Sequence, residues 1–280
     1  MRFTQVDVFT DTLTLGNPVA VVHDAATLDE ASMQAFARWT NLSETTFLLP
    51  PTLPGADYRL RIFTPGGELP FAGHPTLGSA RAWLAAGGVP ATAGRVVQEC
   101  QVGLVPIRLD ETVAGRAAFA APPLRRSGPV DEVTRERLTR AVGVPADRVR
   151  AAEWVDNGPG WAALLLADAQ DVLDARADRD LIGDQAVGLV GPHGPGGPAD
   201  VEVRAFHPGV GAQEDPVTGS LAAGLGQWLT AAGLVPARFT IRQGTVLGRR
   251  GLIRVERDGD DVWVGGDTVL GVQGTVALDA

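Results

Sequence analysis

The chain has 280 residues, 45% of them hydrophobic and 20% charged, enough apolar content to bury a core of one large domain or two smaller ones. All 24 basic residues are arginine, and 33 acids leave a net charge of −9, so there is no basic stripe of the kind a nucleic-acid binder uses to displace counterions. A single cysteine, Cys100, excludes an intramolecular disulfide framework and a cysteine-based zinc site, and His23, His74, His193 and His207 are too scattered to suggest a metal site.

The N-terminal MRFTQVDVFTD carries acids and no apolar core, so it does not read as a signal peptide. The next elements follow in order. VDVFT (6–10), AVVHD (20–24), TTFLLP (45–50) and YRLRIFTP (58–65) are short β-branched and aromatic runs that read as strands. Between the second and third, Thr27 and Glu30 have capping-box spacing and open a predicted helix with Met33, Phe36 and Ala37 on one face. Residues 75–86 contain one charge, Arg81, and are rich in Ala, Leu, Gly and Trp. Residues 121–129 (APPLRRSGP) read as a connection, 131–142 as a charged surface helix and 191–199 (GPHGPGGPA) as a flexible loop. Apolar runs such as Trp161 to Ala167 are too short to span a bilayer, and a soluble cytoplasmic protein is expected. Residues 216–232 contain no charge at all. A helix apolar on nearly all sides must be buried on nearly all sides, so 75–86 and 216–232 predict two central helices. Strands and helices mix without strict alternation, which favours α+β.

The chain also contains a rough copy of itself. RIFTPG (61–66) matches RAFHPG (204–209). The x-Pro-x-x-Gly-Ser frame of His74–Ser79 recurs at Asp215–Ser220, WLAAGGVP (83–90) recurs as WLTAAGLVP (228–236), and Ile107-Arg108-Leu109 recurs as Ile253-Arg254-Val255. The offset drifts only from 141 to 146. Two pseudo-symmetric domains are expected, 1–122 and 129–270, with the last residues returning to the first half. Each would be a sheet rolled around its central helix.

Each predicted helix begins just after a polar residue, His74 or Asp215, with Gly73, Thr76, Gly219 and Ser220 close by. A helix N-terminus presents unpaired N–H groups and partial positive charge, a natural seat for a carboxylate. If the two starts faced one cleft between the halves, a small carboxylate substrate would fit there. The same pattern is also ordinary capping chemistry, and Asp215 is equally a candidate N-cap.

The segments GNPVAVV (16–22), LSETTF (42–47), FTPGGELPFAGHPTLGSA (63–80) and EDPVTGS (214–220) resemble the signatures of the phenazine-biosynthesis-like (PhzF-like) isomerases, within the diaminopimelate epimerase-like fold. The resemblance implies two similar α+β domains with the active site in the cleft between them, a homodimer, and no cofactor. It implies that Glu44 is the catalytic acid/base, that His74 and Asp215 orient substrate or relay a second proton, and that Ser43, Gly73, Thr76, Gly219 and Ser220 bind substrate. Glu44 is the only charge between Trp39 and Pro54, a setting that disfavours its ionised form and suits proton exchange near neutrality. Glu68 and Glu214 stay as supporting polar groups. The implied reaction is cofactor-free proton transfer on a carbon acid, either double-bond isomerisation or epimerisation. A paired-thiol mechanism like that of diaminopimelate epimerase is excluded by the cysteine count. A non-catalytic small-ligand-binding or interaction protein on the same scaffold is the alternative. Gly224-Leu225-Gly226 lies inside a predicted helix, so a dinucleotide-binding reading is discounted.

Overall fold

A computed structural model describes residues 1–207 and 214–278, so Pro208 and Gly209 of the RAFHPG repeat lie outside the described residues. The chain forms two compact units, Met1–Ala120 with Gly265–Ala280, and Ala121–Val264.

The first unit contains β1 (Arg2–Val8), β2 (Asn17–Val22), α1 (Glu30–Thr40), β3 (Glu44–Leu49), β4 (Tyr58–Thr64), β5 (Gly67–Leu69), α2 (Gly73–Ala85), β6 (Arg95–Cys100), β7 (Gly103–Leu109) and β8 (Ala117–Ala120). The second contains β9 (Arg126–Pro129), α3 (Glu132–Ala141), β10 (Val149–Asp156), β11 (Ala162–Leu166), α4 (Ala169–Asp174), α5 (Arg179–Ile182), β12 (Val187–Pro192), β13 (Val201–Phe206), α6 (Gly219–Ala231), β14 (Arg238–Gln243) and β15 (Gly251–Asp258). Strand β16 (Asp261–Gly266) leaves it, and β17 (Thr268–Thr275) returns to the first unit as an antiparallel partner of β1.

The duplication is written in the strand pairing. Along β1, β2, β3, β4, β6 and β7 the successive pairs are antiparallel, parallel, antiparallel, parallel and antiparallel. The series β10 to β15 repeats the same five orientations in the same order.

Each sheet covers a central helix. Helix α2 packs against β1, β2, β3, β6, β8 and β17, and α6 against β10 and β15. The approach is close because glycines face the strands. A Cβ on Gly78 would stand 2.3 Å from Val19 Cγ1, and one on Gly224 would stand 2.4 Å from the carbonyl oxygen of Val155. The outer face of the first sheet carries α1, whose Met33, Phe36 and Ala37 join Phe47 and Phe63 in a buried cluster. In the second unit Leu138 of α3 and Val172 of α4 pack with Trp154, Leu164 and Leu189 in the corresponding manner.

Several local readings change. Asp29, not Thr27, caps α1: its side chain accepts from Ser32 N, while Thr27 ends a preceding single turn. Residues 126–129 form β9, paired with β10, where the sequence suggests only a connection. Helix α2 starts at Gly73, so His74 lies inside its first turn and Pro75 is tolerated there because that N–H has no helical acceptor. Helix α6 starts later than its proline, at Gly219, because Asp215 N bonds Ala205 O and keeps the preceding segment extended against β13. Among the described residues no helix is long and apolar enough to cross a membrane.

Candidate active site

The alternation of β3 decides where Glu44 points. Side chains along a strand face opposite sides in turn. Thr45 Oγ1 meets Thr40 Oγ1 of α1 at 2.7 Å, and Phe47 joins the α1 cluster. Thr46 Oγ1 meets Ser79 Oγ of α2 at 2.9 Å on the other side. Glu44 shares the face of Thr46, so it reaches the start of α2. Its Oε2 lies 3.3 Å from His74 Nε2, with side chains only 9% and 5% exposed. The two atoms are in contact without the alignment of a formed hydrogen bond. On the far side of the ring, Asn17 Nδ2 lies 3.5 Å from His74 Nδ1. Asn17 is fully buried at the head of β2, which runs parallel to β3 with Val19 opposite Glu44. Burial holds the His74 imidazole far below its usual range, to about 3, so it is neutral at working pH. Burial is the cause, since the whole ring is out of water and the charged form loses its hydration.

The remaining first-unit residues fall around this pair. Ser43 precedes Glu44 and is half-buried, and Gly73 is the buried first residue of α2. Thr76 is fully buried, and its Oγ1 accepts from Gln98 Nε2 at 3.0 Å, so its hydroxyl is turned inward.

The helix starts themselves are unusual within the molecule. Helices α1, α3, α4 and α5 are each capped by an aspartate side chain, from Asp29, Asp131, Asp168 and Asp178. In neither α2 nor α6 does the side chain of the N-cap residue itself cap the helix, and neither has an acid in its first turn.

In the second unit Asp215 Oδ2 accepts from Thr218 Oγ1 at 2.7 Å. Gly219 and Ser220 open α6. Trp161 Nε1 donates to Ser220 Oγ at 3.0 Å, and Asn157 Nδ2 to the Ser220 carbonyl at 2.8 Å. Trp161 also meets the His207 ring edge-on, 5.5 Å between centroids.

Glu68 and Glu214 have a definite place that the sequence reading did not assign. Arg61 grips Glu68 through Nε and Nη2 at 2.7 and 2.6 Å. Arg204 grips Glu214 the same way, at 3.0 and 2.8 Å. The arginines are the repeated ones of RIFTPG and RAFHPG, so each unit ties a strand before its central helix to the segment that leads into that helix, which in the first unit is β5. The repeated arginine with an acid shortly after it was the available signal. Asn17, Trp161 and Asn157 were not singled out either, since their partners lie far along the chain, and neither was Thr218, which bonds Asp215 three residues before it. Among the described residues no group of three His, Cys, Asp or Glu could hold a metal ion.

The phenazine biosynthesis-like protein family (PhzC-PhzF) matches residues 6–274. Antisense-enhancing sequence 1 of Schizosaccharomyces pombe is 36% identical, the match covering 97% of each chain. The trans-2,3-dihydro-3-hydroxyanthranilate isomerase of Pseudomonas fluorescens is 34% identical over 99% of each chain. The crystal structure of a PhzF family protein from Enterococcus faecalis superposes with a TM-score of 0.80 at 26% identity, covering 99% of this chain and 100% of that one. The chain thus belongs to the phenazine biosynthesis-like protein family, with its two-domain α+β fold, and is an isomerase.

Proposed function

We propose that this isomerase works without a cofactor, moving a proton on a small carboxylate-bearing carbon acid with Glu44 as general acid/base. The observation that carries the reading is the buried contact of Glu44 Oε2 with His74 Nε2 at the start of an uncapped central helix. Glu44 as carboxylate removes a proton from a carbon next to a carbonyl, carboxyl or diene, and the C–H electron pair moves into that conjugated group. Unpaired N–H groups at a helix start stabilise the negative charge that develops. The protonated Glu44 then returns the proton to another carbon or to the opposite face. The neutral His74 ring holds the glutamate and exchanges hydrogen bonds with it as its charge changes. Asp215, with Ser220 and the first N–H groups of α6, is the second polar group assigned to binding the substrate.

The relatives named above as acting on trans-2,3-dihydro-3-hydroxyanthranilate make that compound the first to try. Incubation with it, and with a panel of small amino and hydroxy carboxylic acids, in D₂O tests the reading by NMR. Enzyme-dependent loss of one C–H signal, or a shifted double bond, is expected. Saturable binding with no exchange or conversion of any bound compound would instead make the chain a ligand-binding protein.

A further inference from the structure

The second helix start is braced by a residue outside the signature segments. Gln243 ends β14 and is fully buried. Its Oε1 accepts from Thr218 N at 3.0 Å, and its Nε2 lies 2.9 Å from the carbonyl oxygen of Asp215. A backbone N–H only donates and a backbone carbonyl only accepts, so these two contacts fix which end of the amide is which. The second hydrogen on Nε2 points to Thr218 Oγ1, also 2.9 Å away. That oxygen is then an acceptor from Gln243, and its own hydrogen is left for Asp215 Oδ2 at 2.7 Å. Donation runs one way, from Gln243 to Thr218 to the carboxylate of Asp215.

The first unit holds a related brace with a different end. Gln98 of β6 is fully buried, donates to Thr76 Oγ1 at 3.0 Å and accepts from the Tyr58 hydroxyl at 3.1 Å. Both units therefore pin a threonine near the start of the central helix with a buried glutamine from the strand that follows it. In the second unit the network ends on a carboxylate.

We infer that Gln243 is a positioning residue: by fixing the direction of the Thr218 hydroxyl it holds the Asp215 carboxylate in one rotamer with Oδ2 occupied. The inference rests on the reading that Asp215 serves the reaction. The amide replaces backbone partners that a buried helix start lacks, so one side chain both caps the N–H of Thr218 and aims the acid.

Four variants test it: Thr218→Val, which keeps the shape and removes the donor; Thr218→Ser, which restores the donor; Gln243→Met; and the Thr218→Val/Gln243→Met double. Crystal structures of the protein alone give the first readout. Asp215 is expected to leave its rotamer in Thr218→Val and Gln243→Met and to keep it in Thr218→Ser. Turnover of trans-2,3-dihydro-3-hydroxyanthranilate gives the second. A misplaced group costs kcat more than KM, so a loss of about tenfold to a hundredfold in kcat is expected for Thr218→Val, rescued by Thr218→Ser. In the double variant Gln243→Met should add less than its single-variant kcat loss, because its action on the Asp215 carboxylate passes through the hydroxyl already removed while its bonds to Thr218 N and the Asp215 carbonyl are separate. An unchanged Asp215 rotamer in both Thr218→Val and Gln243→Met overturns the inference even if stability falls, and so do additive kcat losses. Asp215→Asn separates the two claims. Undiminished turnover in that variant removes Asp215 from the reaction, while the rotamer comparison still decides what Gln243 does. Should Gln243→Met not fold, Thr218→Val against Thr218→Ser carries the test.

Discussion

His74 Nε2 stands 3.3 Å from Glu44 Oε2, and behind the ring Nδ1 stands 3.5 Å from the amide nitrogen of Asn17. The tautomer in which Nδ1 accepts from the Asn17 amide puts the ring hydrogen on Nε2, toward Glu44. A neutral imidazole oriented in this way stabilises the carboxylate without adding a full buried charge beside it. Residues from β2, β3 and α2 meet at this point because the parallel pairing of β2 and β3 sets their heads side by side at the helix start.

Glu44→Gln keeps the volume and removes the titrating group. General acid–base catalysis contributes about 10² to 10⁴ in rate, and a loss of that size is expected in kcat. The substitution leaves the strand pairing of β3 untouched, so the thermal midpoint should stay within a few degrees. Deuterium exchange followed by NMR measures the first quantity and calorimetry the second. Exchange within twofold of wild type would take the proton-transfer role away from Glu44.

The buried state of His74 carries a pH dependence of stability. Its folded-state value, about 3, lies below the ordinary 6.5, and burial is the cause. On acidification the unfolded chain therefore takes up the proton first. Stability is complete above about pH 6.5 and falls as pH drops toward 3, by up to about 1.4 kcal/mol per pH unit for this one group. His23 and His207 are also pushed down by burial and act in the same direction. Urea unfolding of wild type and His74→Asn at pH 7, 6, 5 and 4 isolates the contribution. The wild-type slope should be the steeper one, and parallel slopes would contradict a neutral buried ring.

Much of this arrangement is legible in the chain, for identifiable reasons. Residues 75–86 and 216–232 are almost free of charge, and burial on all sides of a helix leaves no other composition open. The paired motifs survive because two units with one strand order need the same turn and helix residues at the same places. Met33, Phe36 and Ala37 are on one face because helical spacing forces it. The helix starts are harder. A proline fits the first turn but does not choose the position within it, and Asp215 stays extended because of a bond to Ala205 in another strand. Contacts such as Gln243 with Thr218, or Asn17 with His74, join residues brought together only by pairing register, so no local pattern announces them.

The two arginine–glutamate pairs predict unequal costs. Arg204 and Glu214 are 8% and 7% exposed, and Arg204 Nη1 also donates to the Ala175 carbonyl at 2.7 Å. Arg61 and Glu68 are 19% and 15% exposed, with Arg61 also reaching the largely exposed Glu30. Arg204→Met leaves Glu214 as a buried carboxylate without its cation, and about 3–5 kcal/mol should be lost. Arg61→Met leaves Glu68 with better access to water, and a loss nearer about 1 kcal/mol is expected. Urea unfolding of the two variants measures the gap. Equal losses would mean that the apparent burial of Glu214 does not hold in solution.

The glycines that let the central helices meet their strands give a last, graded prediction. Alanine gains about 1 kcal/mol over glycine in a helix interior, so on propensity alone both Gly78→Ala and Gly224→Ala should stabilise. Space decides otherwise. At Gly78 the added Cβ meets Val19 Cγ1 at 2.3 Å and Val8 Cγ2 at 3.1 Å, side-chain methyls that can move by rotation. At Gly224 it meets the Val155 carbonyl oxygen at 2.4 Å, a backbone atom fixed in β10. Overpacking costs about 1–3 kcal/mol, and the backbone contact sits at the upper end because the helix itself must shift. Gly224→Ala should therefore lower the thermal midpoint more than Gly78→Ala, while Gly67→Ala, with open space around its Cβ, should change it little. Because α6 carries Ser220 at its start, a shift of that helix also moves the start away from Trp161. The indole N–H bond to Ser220 is expected to lengthen in Gly224→Ala, seen as a change in the Trp161 Nε1–H resonance. A variant as stable as wild type with that resonance unmoved would show that α6 tolerates a wider spacing from β10 than this packing implies.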